Sequence, residues 1–368
     1  MTNSRFTRLF SAMSSAGVEA IALNPGSSLT YLTGMTFHLM ERPTVLLAVL
    51  PDLVGIILPR LEEGKLAHSS QSIQAFAFDD NPEVWPDVFR KACLALGVDG
   101  KNVGVEPERL RFLELSYLQQ AAPNAHFASA AGILESLRMQ KDASEVEKMR
   151  RAVKIAQDSL ESALKLARSG MTEREFAAEL TIHMLRNGAD AEVPFAPIVA
   201  SGPNSANPHA SPSERPLTAG DLLVIDWGAY FQGYVSDLTR TFAIGDVDPQ
   251  LREVARIVAE ANAAGRAAAR PGVLAGDVDR AARSVIERAG YGAYFTHRTG
   301  HGIGMEGHEP PYMFAENRLV LAPGMAFTVE PGIYLSGRGG VRVEDNVVIT
   351  AAGCETLSDL PRELRVIS

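Results

Sequence analysis

Four acidic residues stand at the ends or centres of apolar runs in the second half of the chain. Asp226 ends LLVID, Asp237 lies within YVSDLTRTF, Glu330 ends AFTVE and Glu344 lies within GGVRVEDNVVIT. If the first two runs pair as a hairpin with Asp226 opposite Asp237, their Cβ atoms stand about 5 Å apart, and like charges at that distance repel. Carboxylates in apolar strands are costly to bury without a counter-charge, so the pattern predicts a bound cation.

A histidine supplies a different type of donor in the segment RTGHGIGMEGHEPP. Gly300, Gly302 and Gly304 flank or follow His301, and they allow a close backbone approach and keep the imidazole unobstructed. Four carboxylates with one imidazole suit Mn²⁺, Co²⁺, Fe²⁺ or Zn²⁺, as a pair of ions bridged by shared carboxylates. Two such ions, about 3.5–4 Å apart, lower the pKa of a bridging water and polarise a carbonyl. The set therefore predicts hydrolysis of a carbonyl compound.

Each member of this set also has an ordinary structural interpretation when it is taken alone. An aspartate at a strand end is commonly a turn or cap residue, and a histidine in a glycine-rich loop commonly packs on the surface. Arg342 and Glu344 fall on one face of an alternating strand, where they could form a plain ion pair. The metal hypothesis therefore depends on all five residues together.

Composition limits the classes of protein to which the chain can belong. Its 368 residues are enough for two domains, and 46% hydrophobic with 21% charged residues is ordinary for a globular protein. The net charge of -9, without a basic block, argues against nucleic acid and anionic membrane surfaces as partners. Cys93 and Cys354 are too few for a disulfide framework or a thiolate zinc site, and we expect both to be small core residues.

The apolar patterning predicts neither a secretory signal nor a membrane span. The N-terminal stretch MTNSRFTRLFSAMSS lacks a continuous apolar core. The most apolar stretch, from Thr44 to Pro59, is interrupted at Pro51 and Asp52 and is too short for a bilayer. We therefore expect a cytoplasmic protein without membrane contact.

The elements that must position these side chains divide the chain in two. Helices and strands alternate over the first 135 residues, which predicts an α/β unit with a mixed sheet. Beyond residue 138 the order is helix, helix, strands, and it occurs twice, which would make a sheet whose halves face a shared centre. We predict domains at residues 1–137 and 138–368.

Capping boxes at Ser144/Glu147 and Thr172/Glu175 predict the starts of the first two helices of the second domain. The other predicted helices cover residues 4–16, 84–96, 108–120, 249–269 and 277–289. The predicted strands cover residues 18–23, 44–50, 53–58, 101–106, 222–226, 234–244, 325–330 and 341–349.

Five segments of the second domain form a pattern found in a known family. They are SGPNSANPHA (201–210), DLLVIDWGAYFQGYVSDLTRTF (221–242), HRTGHGIGMEGHEPP (297–311), FTVEPGIY (327–334) and GGVRVEDNVVIT (339–350). In this order they closely resemble the pita-bread metallopeptidases, and within them the aminopeptidase P/prolidase branch of Xaa-Pro peptidases. The resemblance implies an α/β (α+β) fold, with a creatinase-like N-terminal α/β domain followed by a pita-bread catalytic domain.

The resemblance also implies a pair of divalent metal ions, with Mn²⁺ favoured and Co²⁺ or Zn²⁺ as alternatives. The ligands would be Asp226 on one ion, Asp237 and Glu344 bridging both ions, and His301 and Glu330 on the second ion. Glu330 would also act as the general base that takes a proton from the bridging water.

Other matching positions acquire catalytic or substrate-binding roles through the same resemblance. His308 would bind the substrate and stabilise the oxygen of the tetrahedral intermediate, and His209 and His297 would contact the substrate around the proline. His209 is expected to act in catalysis as well as in binding. Arg342 would hold Glu344 and shape the substrate site. Taken alone, His209 in Asn-Pro-His-Ala and His297 ahead of the glycine-rich segment indicate nothing specific.

The choice within the branch depends on how the carboxylate of the substrate would be held. Several dipeptidases of the branch resemble one another in having an arginine soon after the HE motif, whereas here HEPPYMFAENRLVLAPGM contains none before Arg318. This departure predicts an Xaa-Pro aminopeptidase acting on longer proline-containing peptides, with an Xaa-Pro dipeptidase (prolidase) as the alternative. Arg42, Arg298 or a partner subunit could supply the charge.

Three other classes stay open at this point. They are a metal-free binding relative or pseudoenzyme, a creatinase-like amidinohydrolase and a methionine aminopeptidase. Competent ligands at all five positions disfavour the first two classes, and the N-terminal domain disfavours the third. The resemblance also implies a homodimer, in which the segment YLTGMTFHLMER (31–42), with His38 and Arg42 as polar tips, is a candidate for reaching the partner's site.

Overall fold

The computed structural model describes residues 4–69, 71–168 and 170–367. The chain divides into two compact units, Met1–Arg138 and Met139–Ser368. Among the described helices, none is both long and apolar enough to cross a membrane.

The N-terminal unit is a mixed sheet with helices. Its helices are α1 (Ser4–Ala16), α2 (Ser27–Thr33), α3 (Trp85–Leu96), α4 (Phe112–Ala121) and α5 (Ala131–Met139). Its strands are β1 (Ala20–Leu23), β2 (Val45–Val49), β3 (Leu53–Pro59), β4 (Gln74–Phe78), β5 (Asn102–Val105) and β6 (His126–Ser129). The strand order is β4-β3-β2-β1-β5-β6, and β1 runs antiparallel to β2 and parallel to β5. The predicted α/β unit with a mixed sheet is therefore confirmed.

The core of this unit forms where α3 packs on the sheet. Strands β1 and β2 are buried along their whole length, as strands with both faces covered are. Helix α3 is amphipathic and buries Trp85, Phe89 and Cys93 in the same cluster as residues of both strands. Burial raises the pKa of the Cys93 thiol to about 12, so this cysteine acts as a small apolar core residue.

The structure adds local detail to two predictions for this unit, the start of one helix and the role of Arg42. Helix α4 begins later than predicted, at Phe112, because the amide of Leu110 first closes a turn on the carbonyl of Glu106. The guanidinium of Arg42 forms an ion pair with Asp80, with Nε 2.8 Å from Oδ1. The contact of Arg42 with a partner subunit stays a prediction.

The C-terminal unit contains helices and strands in the order that the sequence predicts. Its helices are α6 (Ala143–Leu164), α7 (Glu173–Arg186), α8 (Pro249–Ala268) and α9 (Ala275–Arg288). Strands β7 (Ile198–Ser201), β8 (Leu222–Trp227), β9 (Tyr230–Phe231), β10 (Tyr234–Val235) and β11 (Leu238–Ile244) follow the first helix pair. The second pair precedes β12 (Gly300–Gly302), β13 (Glu309–Met313), β14 (Ala326–Val329), β15 (Gly332–Leu335), β16 (Gly339–Arg342), β17 (Asp345–Thr350), β18 (Gly353–Thr356) and β19 (Arg365–Ile367).

Two sheets correspond to the two halves of this unit. One has the order β19-β11-β8-β7 and the other β13-β12-β14-β17-β18, while β9–β10 and β15–β16 form separate hairpins. The first half buries α6 and α7 around Trp227, whose Nε1 donates to the carbonyl of Ala156 at 2.9 Å. The second half buries α8 and α9 against residues of β15 and β16. The twofold helix–helix–strands order is confirmed, although the run predicted at 341–349 is divided between β16 and β17.

The capping box of α6 uses Asp142 and Glu145 instead of the predicted Ser144 and Glu147. The sequence DASEVE offers both pairs at the required spacing, and aspartate is as good an N-cap as serine. Ser144 donates its hydroxyl to Asp142 Oδ1 at 2.7 Å, so it supports the cap from inside the first turn. The capping box predicted for α7 is present.

The hairpin that carries the two aspartates differs in register from the predicted one. Asp226 on β8 lies opposite Thr239 on β11, and not opposite the second aspartate. Gln232 and Gly233 have φ values of 50° and 76°, and both amides donate to the carboxylate of Asp190. A two-residue turn with positive φ at both positions joins antiparallel strands, so the pairing is centred on these two residues.

Candidate metal centre

The acidic residues come together where the two halves of the C-terminal unit meet. An isolated antiparallel bridge joins Thr239, near the start of β11, to Glu344, between β16 and β17. The Glu344 amide donates to the Thr239 carbonyl at 3.0 Å, and the Thr239 hydroxyl donates to Glu344 Oε2 at 2.7 Å. Asn346 fixes Asp237 by accepting from its amide at 2.9 Å and donating to its carbonyl at 2.6 Å. These bonds place carboxylates from both halves in one centre.

Three groups of side chains have donor atoms close enough to share an ion, and two of them consist only of predicted metal ligands. Donor atoms of Asp226, Asp237 and Glu344 lie within 4.8 Å of one another, and so do those of His301, Glu330 and Glu344. His301 Nε2 is 3.3 Å from Glu330 Oε1 and 3.7 Å from Asp237 Oδ2. The structure therefore brings all five predicted ligands together, with Glu344 common to both groups and Asp237 in reach of each.

Glycines allow β12 to approach its neighbours closely, as the sequence predicts. A Cβ at Gly300 would lie 1.9 Å from the carbonyl oxygen of Thr328 on β14. A Cβ at Gly302 would lie 2.3 Å from the carbonyl oxygen of Glu309 on β13. Because no side chain fits at either position, His301 is placed between the two strands on a backbone that only glycine permits.

The imidazole of His301 is set up as a neutral nitrogen donor. Its Nδ1 lies 3.1 Å from the carbonyl oxygen of Gly302, a contact that requires the proton on Nδ1. Burial, with a further contribution from His308, lowers the pKa of His301 to about 3, so the ring is neutral at neutral pH. The lone pair of Nε2 then faces the carboxylates, as in metal-binding histidines whose other nitrogen donates to a carbonyl.

The carboxylates of the candidate centre are better explained as ligands of a bound cation than as a cluster without one. Burial, together with repulsion between neighbouring carboxylates, raises the pKa of Asp237, Glu344 and Glu330, in the last case to about 7. Asp226 Oδ1 is buried and has no hydrogen-bond partner among the described residues. A divalent ion would give this oxygen a partner and balance the repulsion, so the donor set fits the metal pair.

Arg342 pairs with Asp226, and not with Glu344 as the sequence interpretation expects. Its Nη2 donates to Asp226 Oδ2 at 2.6 Å, and its Nε donates to the Thr239 hydroxyl at 3.1 Å. The same hydroxyl donates to Glu344, so the arginine and the glutamate share Thr239 without touching each other. The expectation was wrong because β16 ends at Arg342, and the strand alternation assumed for the pair does not continue to Glu344.

Tyr334, which the sequence interpretation missed, connects Arg342 to His297. Its hydroxyl accepts from Arg342 Nη1 at 2.8 Å and lies 2.9 Å from His297 Nε2. His297 Nδ1 lies 2.8 Å from the carbonyl oxygen of Arg298, and burial lowers the pKa of His297 to about 4. The neutral ring therefore donates from Nδ1 and accepts from Tyr334 at Nε2. A tyrosine in an apolar strand carries no local signal for this role.

A cavity of 630 Å³ opens onto these side chains. The predicted site residues that line it are Asp226, Asp237, His301, Glu330, Glu344, His209, His297, His308 and Arg342. The ring of His308 lies 3.9 Å from that of His301, and its donor atom is within 4.8 Å of those of Asp237 and His301. His209 is exposed and lies between β7 and β8. All nine predicted residues therefore face one cavity.

A buried ion pair supports the loop that carries His308, and the sequence interpretation also missed it. Lys141 Nζ lies 2.5 Å from Glu309 Oε1, and these side chains are only 2% and 3% exposed. A Cβ at Gly304 would lie 2.6 Å from atoms of both side chains. Lys141 lies far from the loop in sequence, so no local motif could have predicted the pairing.

Two family models match the chain. The model described as metallopeptidase family M24 covers residues 147–351. The model described as the creatinase/prolidase N-terminal domain covers residues 5–140. The predicted fold, a creatinase-like N-terminal domain followed by a pita-bread domain, is confirmed.

Named relatives cover almost the whole chain. An Xaa-Pro dipeptidase of Lactobacillus helveticus is 33% identical over 92% of this chain and 92% of its own. The structure of an Xaa-Pro dipeptidase from Bacillus anthracis has a TM-score of 0.90 and 35% identity, covering 99% of both chains. The structure of an X-Pro aminopeptidase from Thermotoga maritima has a TM-score of 0.86 and 32% identity, covering 98% of this chain and 99% of its own.

Proposed function

The chain belongs to metallopeptidase family M24, and we propose that it is an Xaa-Pro dipeptidase that hydrolyses the bond between an N-terminal residue and a C-terminal proline. The observation that carries this proposal is the cluster of donor atoms, sufficient for two metal ions, that lines the cavity. The chain that holds this cluster is 33% identical to an Xaa-Pro dipeptidase over 92% of its length. The relatives favour this activity over the aminopeptidase that the segment after His308 predicts.

The metal ligands are proposed in the arrangement that the resemblance implies. Asp226 would hold one divalent ion, His301 and Glu330 would hold the second, and Asp237 and Glu344 would hold both. Glu344 belongs to the donor groups of both proposed ions, and Asp237 lies close both to Asp226 and to His301, which supports this division. When bound, the pair supplies a water of lowered pKa and polarises the scissile carbonyl. Mn²⁺ is favoured, with Co²⁺ or Zn²⁺ as alternatives, because hard oxygen donors predominate.

Glu330 and His308 are proposed to move protons and bind the developing oxyanion. The Glu330 carboxylate lines the cavity and accepts from the Thr328 hydroxyl at 3.2 Å, which orients it as a general base. Burial lowers the pKa of His308, so its ring is neutral and donates from one nitrogen. This donor can stabilise the oxyanion of the tetrahedral intermediate.

The proline side of the substrate is proposed to lie against His209 and His297. The apolar side chains of Phe195 and Ile198 line the same cavity and suit a pyrrolidine ring. Arg342 is proposed to act mainly by holding Asp226 and Tyr334, since its bonds go to protein groups.

The experiment compares one peptide series on protein from which metal has been removed and then restored as Mn²⁺, Co²⁺ or Zn²⁺. We expect kcat/KM for Ala-Pro to exceed that for Ala-Pro-Ala by at least about tenfold, and activity to require metal. Faster cleavage of the tripeptide would instead establish the aminopeptidase, which the similarity to the Thermotoga maritima enzyme keeps as the second candidate.

Other outcomes would contradict both candidates. Cleavage of Met-Ala peptides without cleavage of proline peptides would indicate a methionine aminopeptidase. Activity that survives removal of metal would indicate a creatinase-like hydrolase, and absence of both activity and stoichiometric metal would indicate a binding relative.

A homodimer and a cytoplasmic location complete the proposal. Light scattering at assay concentrations tests the dimer, with a mass of one chain as the contradicting result. Fractionation of the native cells tests the location.

A further inference from the structure

Arg298 presents a cation to the catalytic cavity from a fixed position. It lines the cavity, lies half-buried two residues before β12, and its neighbour His297 is held through both ring nitrogens. Its guanidinium carbon lies over the Tyr312 ring, 4.3 Å from the ring centroid. This cation–π contact helps to hold the guanidinium in place without using its N–H groups as hydrogen-bond donors to a carboxylate.

The two arginines that line the cavity are in different states. Arg342 bonds to Asp226, Thr239 and Tyr334, as described above. The guanidinium of Arg298 forms no hydrogen bond or ion pair with any residue that the structure describes, and its one recorded partner is the Tyr312 ring. A half-buried cation facing a cavity without a carboxylate partner is suited to an anionic ligand group.

Arg298 lines the same cavity as the five predicted metal ligands and His308. A dipeptide whose scissile bond lies at the candidate metal centre would therefore have its C-terminal carboxylate in the cavity that Arg298 lines.

We propose that Arg298, oriented by Tyr312, binds the C-terminal carboxylate of the dipeptide and makes the enzyme selective for substrates that end at proline. This inference rests on the proposed dipeptidase function. It also assigns the carboxylate contact to a residue outside the segment that follows His308. A guanidinium suits this role because its N–H groups form charge-assisted hydrogen bonds with a carboxylate.

The test uses Mn²⁺-loaded enzyme and two substrates that differ only in the terminal charge, Ala-Pro and its C-terminal amide. Arg298→Gln should lower kcat/KM for Ala-Pro by about 10–100-fold, mostly through KM, as expected for loss of a charge-assisted contact. The amide should change by less than about threefold, because it lacks the charge that Arg298 binds. Arg318→Gln, at an exposed arginine outside the cavity, is the matched control and should change neither value.

A second variant and the wild type keep the test decisive if Arg298→Gln does not fold. Tyr312→Leu retains the charge but removes the stacking, and should lower kcat/KM for Ala-Pro more than for the amide. The wild-type enzyme should itself prefer Ala-Pro to the amide. Equal losses on both substrates, or a wild type without this preference, would overturn the role of Arg298. A wild type that cleaves neither substrate would instead sink the dipeptidase function.

Discussion

Side chains in the candidate metal centre differ in whether their polar atoms already have hydrogen-bond partners in the protein. Asp226 gives one oxygen to Arg342 and leaves the other buried without a partner among the described residues. Glu344 accepts from Thr239, whereas His301 directs its Nε2 toward the acids. Each of these three predicted ligands is thus held by one bond and keeps one atom for an ion, which is the arrangement that pre-organised metal sites use.

Glu330→Gln tests the proposed base at the residue scale. The substitution keeps the size of the side chain but removes the group that takes a proton, so kcat should fall by about 10²–10⁴-fold. The measurement is kcat on Ala-Pro, with circular dichroism to show that the fold is retained and metal analysis to record the ion content.

Glu316→Gln is the matched control for this variant, since Glu316 is exposed in the same half of the unit and does not line the cavity. Its kcat should stay within about twofold of the wild type, as for surface substitutions. A Glu330→Gln enzyme that keeps more than about a tenth of the activity would show that another group serves as the base.

Strand β12 is the element on which the position of the imidazole depends. It packs so closely against β13 and β14 that a Cβ at Gly300 would lie 1.9 Å from a backbone oxygen. The position of His301 therefore depends on glycine at both flanking positions. A side chain at either position would force the backbones of the neighbouring strands apart.

Gly300→Ala should lower the free energy of unfolding by about 1–3 kcal/mol or more, because the two strands must move apart. Urea unfolding measures the change, and metal analysis shows whether the displaced His301 still binds an ion. Gly307→Ala is the control, since a Cβ there meets nothing within 4 Å, and it should change stability by less than about 0.5 kcal/mol. Equal stability of the two variants would contradict the packing argument.

Asp345, at the start of β17, connects that strand to β11 and to the C-terminal segment. It is fully buried and pairs with Arg240 and Arg362, at 2.8 and 2.7 Å. Burial alone would raise the pKa of Asp345, but the two guanidiniums outweigh it and lower the pKa to about 2. Because the folded state holds the ionised form, the pairing stabilises the fold above the ordinary pKa of 3.8 and is lost as pH falls toward 2.

The wild type should therefore lose about 2 kcal/mol of stability between pH 4 and pH 2 through this group alone. Asp345→Asn should be less stable by about 3–5 kcal/mol at pH 7, because it leaves buried guanidiniums unpaired, and should lack this acid-dependent loss. Urea unfolding as a function of pH measures both effects. Asp246→Asn, at a side chain that is 95% exposed, should follow the wild-type profile. Parallel profiles for wild type and Asp345→Asn would contradict the linkage.

The C-terminal unit as a whole places its active chemistry at the contact between its two halves. Two acids, one on β8 and one directly before β11, meet a histidine on β12 and two further acids, one directly after β14 and one directly before β17. A bound metal pair would therefore tie the two halves together, and its free energy of binding would add to the stability of the unit.

Removal of metal by a chelator should lower the Tm and abolish activity. Addition of Mn²⁺ at about 100 times its Kd should restore activity and raise the Tm by about 5–10 °C. Calorimetry measures the Tm, and Glu344→Gln is the comparison, since it removes the ligand common to both donor groups. A wild-type Tm that does not respond to chelator or to Mn²⁺ would contradict a metal centre between the halves.

The sequence predicted what depends on residue type and short spacing. The strand-end acids and the glycines around His301 indicated a carboxylate–histidine centre, and the helix–helix–strands order indicated the fold. These features can be predicted from the sequence because burying a carboxylate costs free energy, and a glycine permits close backbone approach, wherever the strand lies in the fold.

Which charged groups pair was decided only by the tertiary structure. Arg342 meets Asp226 across 116 positions of the sequence, and Lys141 meets Glu309 across 168. Tyr334 meets His297 across 37 positions, and the hairpin register followed a turn held by Asp190. Charge interactions in a buried site change greatly within a few ångströms, and those distances are set by the packing of distant segments. The residue types alone therefore determined the kind of chemistry, and the fold decided which atoms are left free to perform it.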